Sequence, residues 1–519
     1  MCSLSLRAIS LTVAVLYAWT AAPVADTARV LAVETMCGKS HWNFMSSVLR
    51  ALTDAGHSVT VFTPFPEGDR ENYTELDTSA GFPSTGDQDV TMMLKNFSDP
   101  YKFVRTFSTV SKWICKAIYD DDRLAAIMRD GGMGGLPFDV LIIEPVLGVD
   151  CVSHIAAALH LPAIYVIPSP MITFEEPKFT GYVSNPAYVS HLMARHAVPG
   201  TFVQRLSNIV LSVYTAVTIN YNDWSEKTRD PRPYHLSPPV GPSIIFQNSH
   251  YITEAARPVP PNVIDVGGIH LRPAKSLPKD IKDFIEDSPH GVIYFTFGST
   301  VKLSSLPDHV AKAFEEALAQ VPQKVLWKYE GEIKHKQKNV MTRKWFPQRE
   351  ILLHPKVKLF ISHGGISGVY EAVDAGVPVL GFPLFYDQPR NVENLVHNGM
   401  AISMDLLTVT KDSLLKAISE LINDEKYTKK AKTNSALFKD RPMTPAQSVA
   451  YWTEYVIRRH GAPHLKYHSH NIAWYQYFLL DVTATVAAFV FFAVFAFCKL
   501  LNVAFMYVTN KSQVKIKSR

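Results

Sequence analysis

The sequence predicts an α/β protein: two doubly wound parallel-sheet domains followed by one C-terminal transmembrane helix. Three observations predict it. Strand, helix and strand alternate from residue 29 onward, the pattern of a βαβ unit. A proline-rich stretch interrupts that alternation, and a fresh strand follows it. A run of 22 residues near the C-terminus, 477–498, carries Asp481 as its only charge.

Taken in order, the N-terminus has one cation, Arg7, then an apolar run over 8–18 and small residues at Ala21, Ala22 and Ala25. The spacing predicts a cleaved secretory signal over 1–25, with the cleaved bond left open because Pro23 disturbs the site after Ala22. Strand 29–34 leads through a loop to a helix with Phe44, Val48, Leu49 and Leu52 on one face, ended by Gly56, and then to strand 58–63. Strand 139–143, a helical stretch 150–159 and strand 163–167 extend the same sheet. Pro231, Pro233, Pro238, Pro239, Pro242, Pro258, Pro260 and Pro261 then exclude a long helix or a central strand. The first domain with its linker is thus assigned to 26–284.

A second domain, 285–450, opens with strand 291–297 and helix 309–320. Strands near 324–328, 359–361 and 379–382 alternate with further helices. Two such domains joined by a linker place a cleft between them, a usual site for a ligand. A helical segment follows at 451–474. The membrane helix at 475–498 has Trp474, Tyr475 and Tyr477 as an aromatic belt at its start and a lysine-bearing tail, 499–519, after it.

Composition narrows the function classes. Hydrophobic residues are 47 % and charged residues 19 %, which excludes global disorder. The net charge of +5 equals the five cations of the tail, Lys499, Lys511, Lys515, Lys517 and Arg519, so the rest of the chain is neutral and presents no nucleic-acid-binding signature. Asn72-Tyr73-Thr74 and Asn96-Phe97-Ser98 are N-glycosylation sequons. With Cys2 removed in the signal, Cys37, Cys115 and Cys151 allow at most one disulfide in the lumenal body.

The richest segment runs from Trp345 to Gln388. Its strand at 359–361 enters Ser362-His363-Gly364-Gly365, and a helix opens near Ser367. Glycines admit close approach of a ligand, and a helix N-terminus offers free amides, so the turn suits a diphosphate with His363 as an added donor. Gly298-Ser299, after the earlier strand, would face the same crevice. Within the 44 residues from Trp345 to Gln388, the residues Phe360, His363-Gly364-Gly365, Gly368, Glu371, Pro378, Pro383 and Asp387-Gln388 resemble the signature of UDP-glycosyltransferases. Signal, acceptor domain, donor domain, membrane helix and basic tail also follow that family's order.

The resemblance implies a GT-B fold of two facing Rossmann-like domains, with the acceptor in the first and a UDP-sugar in the second. It implies that Trp345 stacks on uracil with Gln348 beside it, and that Ser299, His363, Gly365, Ser367 and Gly368 hold the diphosphate. Glu371 would take the ribose hydroxyls, and Asp387 and Gln388 those of the sugar. Plant members usually have Asn and Ser where this chain has Ser367 and Gly368, so backbone donors carry more of the phosphate here.

On the acceptor side a general base must take the proton of the attacking hydroxyl. His41, in Ser40-His41 at the start of the first helix, is similar to the family's catalytic histidine, and a helix N-terminus favours its neutral form. Its partner would be a carboxylate. The family usually has Asp at the end of strand 139–143, where this chain has Glu144, with Asp150 six residues later as the alternative. Asp139 reads as a strand-edge residue. Asp120-Asp121-Asp122 has metal-diphosphate spacing but falls between helices as a solvated turn, and no zinc spacing occurs, so no metal or other cofactor is expected.

These implications amount to inverting transfer of a hexose from a UDP-sugar to a hydroxyl of a small lipophilic acceptor, in detoxification or metabolite conjugation. Similarity to invertebrate membrane-bound members favours UDP-glucose over UDP-glucuronate. A non-catalytic nucleotide-sugar binder is the rival, with Glu144 in place of Asp as its mark. Lys515 and Lys517 resemble a Lys-x-Lys-x-x retrieval signal, which implies a single-pass type I protein of the endoplasmic reticulum membrane. A homo-oligomer is compatible with this reading.

Overall fold

The computed structural model describes residues 27–82, 88–145, 150–235, 239–299, 301–331 and 337–517. The expected signal, 1–25, lies outside them, as do Ser518 and Arg519 of the tail motif. The chain divides into a body, up to Lys466, and a second unit from Tyr467 onward.

The body is built on two parallel sheets. The first contains β1 (Arg29–Val33), β2 (Ser58–Thr63), β3 (Tyr73–Asp77), β4 (Val140–Ile143), β5 (Ala163–Ile167), β6 (Ile244–Gln247) and β7 (Val263–Asp265). Their spatial order is β3-β2-β1-β4-β5-β6-β7. The order therefore reverses between β1 and β4, and a crevice opens at the carboxyl ends of these two strands. The second sheet contains β8 (Val292–Thr296), β9 (Lys324–Lys328), β10 (Val340–Arg343), β11 (Val357–Ser362), β12 (Val379–Gly381) and β13 (Ala401–Ser403). Its order is β10-β9-β8-β11-β12-β13, which reverses between β8 and β11. All ladders in both sheets are parallel, and helices cover both faces, as buried parallel strands require.

On one face of the first sheet, Phe103, Ile114 and Ile118 of helix Pro100–Tyr119 pack with Leu31, Leu141 and Ile143. On the other, Trp42, Phe44 and Val48 of α1 (Lys39–Asp54) pack with Val30 and Ile142. Among α1's side chains, His41 stands in the first turn after Gly38, whose side-chain-free N-cap leaves the helix's opening amides unclaimed.

Several expectations need correction. Strand β6 lies inside the proline-rich stretch and β7 directly follows it; they are four and three residues long, and β7 forms the sheet edge. Residues 168–230, left unassigned by the sequence reading, include the 28-residue helix α2 (Phe202–Arg229). It is long and apolar enough to cross a membrane by length and composition, yet Asn208, Leu211, Thr215 and Ser225 are buried and Tyr214 packs edge-on to Tyr101 at 4.8 Å. The expected boundary at 450 falls within a single helix, Pro445–Arg458, whose Val449 and Val456 join the core of the first sheet beside Trp42.

The two sheets meet through a short parallel pairing of Gln88–Asp89 with Val301–Lys302. There the Val90 N–H donates to Ser305 Oγ at 2.8 Å, and the Val90 side chain is buried in the second core. Cys115 and Cys151 form a disulfide between helix Pro100–Tyr119 and the segment after β4.

In the second unit, a turn and the short helix Trp474–Tyr477 precede a continuous helix, Leu480–Lys517. Its stretch Leu480–Asn510 is long and apolar enough to cross a membrane by length and composition. The helix thus runs past the expected end at 498, because Leu500, Leu501, Val503, Phe505 and Met506 continue the apolar run beyond Lys499.

Candidate active site

At the carboxyl ends of β1 and β4 the chain places Glu34 and Glu144, one residue beyond the paired Val33 and Ile143. Glu144 is fully buried, and its Oε1 lies 2.5 Å from Nδ1 of His41, whose ring is 19 % exposed. Burial lowers the pKa of His41 below the ordinary histidine value, against the opposing pull of Glu34 and Asp387. The ring is therefore neutral at neutral pH. With Glu144 ionised, Nδ1–H donates to its Oε1 and leaves Nε2 unprotonated; burial raises the Glu144 pKa to about 8. Asp150 opens a short 3₁₀ turn, Asp150–Val152, and its side chain lies outside the described residues. Asp139 is engaged elsewhere, accepting from the Arg29 N–H at 2.7 Å.

The reversal point of the second sheet brings Gly298-Ser299, after β8, beside His363, after β11. Gly298 has φ +76°, and a Cβ there would stand 2.8 Å from His363 Cε1; a Cβ on Gly365 would stand 2.6 Å from His363 Nε2. Glycine at both positions is what lets the ring lie between the turns. Burial, with Lys328 nearby, lowers the His363 pKa to about 4, so the ring is a neutral hydrogen-bonding group. Helix α3 (Ile366–Ala375) begins one residue earlier than expected, and its N-cap, Gly365, offers no side-chain cap. The first-turn amides, including those of Ser367 and Gly368, are thus available to an anion.

Glu371, one turn further along α3, accepts a hydrogen bond from Gln348 Nε2. Burial raises its pKa to about 7 despite that bond. Gly368 lies close to the same amide: a Cβ there would stand 3.4 Å from Gln348 Nε2. Trp345 is 65 % exposed, with the Lys39 ammonium of α1 at 6.0 Å from its ring centroid. A residue from the first sheet's helix therefore reaches the aromatic platform of the second.

Asp387 stands just before α4 (Gln388–His397) without capping it and accepts from Asn391 Nδ2 at 2.7 Å; the same amide also donates to Gly364 O at 3.0 Å. Burial raises Asp387 to about 6, with Asn391 and His41 acting against the rise. Gln388 Oε1 accepts from the Leu384 and Phe385 amides, which fixes the turn and leaves its NH₂ for a ligand. In that turn Tyr386 has φ +59°, and its ring stacks on Phe103 of the first half at 4.9 Å. The Phe103–Tyr386 stack and the Lys39–Trp345 contact join the two halves at this cleft, where Asp387 acts electrostatically on His41.

Sequence reasoning missed Glu34, Lys39, Asn391 and Tyr386. Asn391 had a readable signal, since it stands four residues after Asp387 on one helix face. Asp120-Asp121-Asp122 is used structurally: Asp121 caps helix Asp122–Asp130 and pairs with Arg123, while Asp120 pairs with Lys116. Among the described residues, no group of three or more His, Cys, Asp or Glu converges as a metal site. Asn72 and Asn96 are both exposed.

Comparison with known proteins agrees with this architecture. Residues 28–515 match the family described as UDP-glucoronosyl and UDP-glucosyl transferase. UDP-glucosyltransferase 2 of Dactylopius coccus is 37 % identical over 91 % of this chain and 93 % of the relative. UDP-glucuronosyltransferase 2B17 of Rattus norvegicus is 33 % identical over 86 % of this chain and 89 % of the relative. Among solved structures, the glycosyltransferase SnogD of Streptomyces nogalater superposes with TM-score 0.53 at 17 % identity, over 83 % of this chain and 99 % of that one. A variant of Os79 from O. sativa, in complex with UDP, superposes with TM-score 0.55 at 16 % identity, over 82 % and 100 %. These two share the GT-B fold of paired parallel sheets. With sheets, cleft and sequence in agreement across nearly its whole length, the chain belongs to the UDP-glycosyltransferase family and is a glycosyltransferase.

Proposed function

We propose that the protein transfers glucose from UDP-glucose to a hydroxyl of a small lipophilic acceptor, with inversion at the anomeric carbon. The observation that carries this reading is His41, kept neutral by burial, oriented by Glu144 and electrostatically coupled to Asp387 across the cleft. His41 Nε2 takes the acceptor's proton as the acceptor oxygen bonds to the anomeric carbon and the bond to UDP breaks. Glu144 stabilises the imidazolium so formed. The amides at the start of α3, with Ser299, Gly365 and His363, receive the charge of the departing diphosphate. Trp345 and Gln348 hold the base, Glu371 the ribose, and Asp387 with Gln388 the sugar hydroxyls. No metal takes part in this scheme.

Helix Leu480–Lys517 would anchor the body on the lumenal side of the endoplasmic reticulum membrane as a single-pass type I protein, with Asn72 and Asn96 glycosylated there. The Cys115–Cys151 disulfide supports an oxidising compartment. A lipophilic acceptor dissolved in the bilayer would suit such an anchor, and conjugation or detoxification would be its use. The similarity to a UDP-glucuronosyltransferase keeps glucuronate as the second donor to test.

The test is full-length protein in microsomes with labelled UDP-glucose or UDP-glucuronate and a panel of hydroxylated acceptors, with and without EDTA. The expected result is an inverted glucoside with stoichiometric UDP release, unaffected by EDTA. Nucleotide-sugar binding without UDP release would overturn the catalytic reading, and a restorable metal requirement would overturn the charge-stabilisation scheme.

A further inference from the structure

β1 and β4 are neighbours in register, Val33 opposite Ile143, and each is followed by a glutamate. Both are buried: Glu34 is 1 % exposed, and Glu144 is fully enclosed. Their backbones are fixed, since the Glu34 N–H donates to Phe62 O at 3.0 Å and Thr35 Oγ1 donates to Glu144 O at 2.6 Å. Each carboxyl has one oxygen committed. Glu34 Oε1 accepts from the Met36 N–H at 2.9 Å, and Glu144 Oε1 takes His41 Nδ1. The other two oxygens, Glu34 Oε2 and Glu144 Oε2, are buried with no hydrogen-bond partner among the described residues, and each carboxyl acts electrostatically on the other. Ionised carboxylates only accept, so these two oxygens can satisfy each other only with a proton between them.

We propose that Glu34 is a positioning residue for the transfer reaction: it holds one proton against Glu144 Oε2, so the pair carries a single negative charge and Glu144 Oε1 stays aimed at His41. The inference rests on the reading of His41 as the base. It also accounts for a glutamate where an aspartate is usual. The added methylene gives Glu144 another rotatable bond, and the hydrogen bond from Glu34 removes that freedom.

Burial raises the pKa of both carboxyls, and for Glu34 the neighbouring Glu144 charge raises it further. Two carboxylates in contact cannot both ionise cheaply, and they titrate as a pair. The other titratable groups facing the pair are His41 and Cys37 from the loop and helix after β1, and Tyr386 from the second half, while Asp387 faces His41. Glu144 needs its charge to stabilise the imidazolium, so the acid limb of the activity profile reports loss of that charge. Deleting the donated proton at Glu34 makes the Glu144 carboxylate harder to form and moves that limb to higher pH.

The test compares kcat and KM across pH for the full-length wild type, Glu34→Gln, Glu34→Leu and His41→Ala. Gln donates an N–H to Glu144 Oε2, whereas Leu fills the space without donating. Glu34→Gln is expected to keep most of the turnover. Glu34→Leu should lose roughly tenfold or more in kcat, the scale of one orphaned buried acceptor, with KM for the UDP-sugar unchanged and the acid limb moved upward. Equal kcat and superimposable pH profiles for Gln and Leu would overturn the proposal, leaving Glu34 as filler. Should Glu34→Leu not fold, infrared spectroscopy decides on Glu34→Gln: a carboxylic-acid C=O band present at neutral pH in the wild type should vanish, and its persistence overturns the proposal. Full activity of His41→Ala would instead refute the base assignment, so the two failures are separable.

Discussion

Replacing Trp345 by alanine should weaken UDP binding while leaving the fold intact. The indole is 65 % exposed, and Lys39 is its cationic neighbour at 6.0 Å from the ring centroid. Truncation therefore opens no core cavity, and the change in folding stability should stay within about 0.5 kcal/mol, the range of surface substitutions. Base stacking on an aromatic face is worth roughly 1 to 3 kcal/mol. At about 1.4 kcal/mol per tenfold, UDP affinity should fall between roughly fivefold and 140-fold. Trp345→Phe should recover much of the loss because a smaller aromatic face remains. Calorimetric titration with UDP measures the affinity, and thermal melting of the ligand-free variant measures the fold. A Kd within about twofold of wild type would refute the stacking role. A large drop in melting temperature would show instead that the ring supports the fold.

Glu144→Gln should lower kcat by about 10²- to 10⁴-fold with little change in UDP-glucose binding, because the amide cannot balance an imidazolium; steady-state kinetics with a binding titration checks both. Glu371, raised to about 7 by burial, should bind ribose hydroxyls as the carboxylate. Binding then favours the ionised form, so UDP-glucose affinity should rise about tenfold between roughly pH 6 and pH 8 and the slope should vanish in Glu371→Gln. Appending two alanines after Arg519 displaces Lys515 and Lys517 from their places relative to the C-terminus. The protein should move to the cell surface with unchanged topology, and immunofluorescence showing retention would remove the tail as the address.

The sequence reveals those parts of the fold that are set locally. β2, β5 and β9 form where their apolar runs stand between turn residues, and the expected spans 58–63, 163–167 and 324–328 coincide with them. β6 and β7 are hidden because prolines flank short segments, and their membership in the sheet depends on neighbours far away in the chain. α2 escapes notice for another reason: Val210, Val213, Val217 and Tyr221 face outward, so apolar residues do not mark its buried side. All the candidate donor residues but Ser299 cluster in 44 residues around one strand-turn-helix unit, which made them readable together. Glu34 was not, because its significance appears once β1 and β4 lie side by side and bring together carboxyls from residues 34 and 144. The choice between Glu144 and Asp150 likewise needed the position of His41 Nδ1.

The central claim is that His41 is the base, and His41→Ala tests it most directly. Turnover of UDP-glucose with a competent acceptor should fall by about 10²- to 10⁴-fold. UDP affinity should stay within about twofold, because the proposed nucleotide contacts lie on the second sheet's side of the cleft. Retention of more than about half the wild-type turnover would contradict the account.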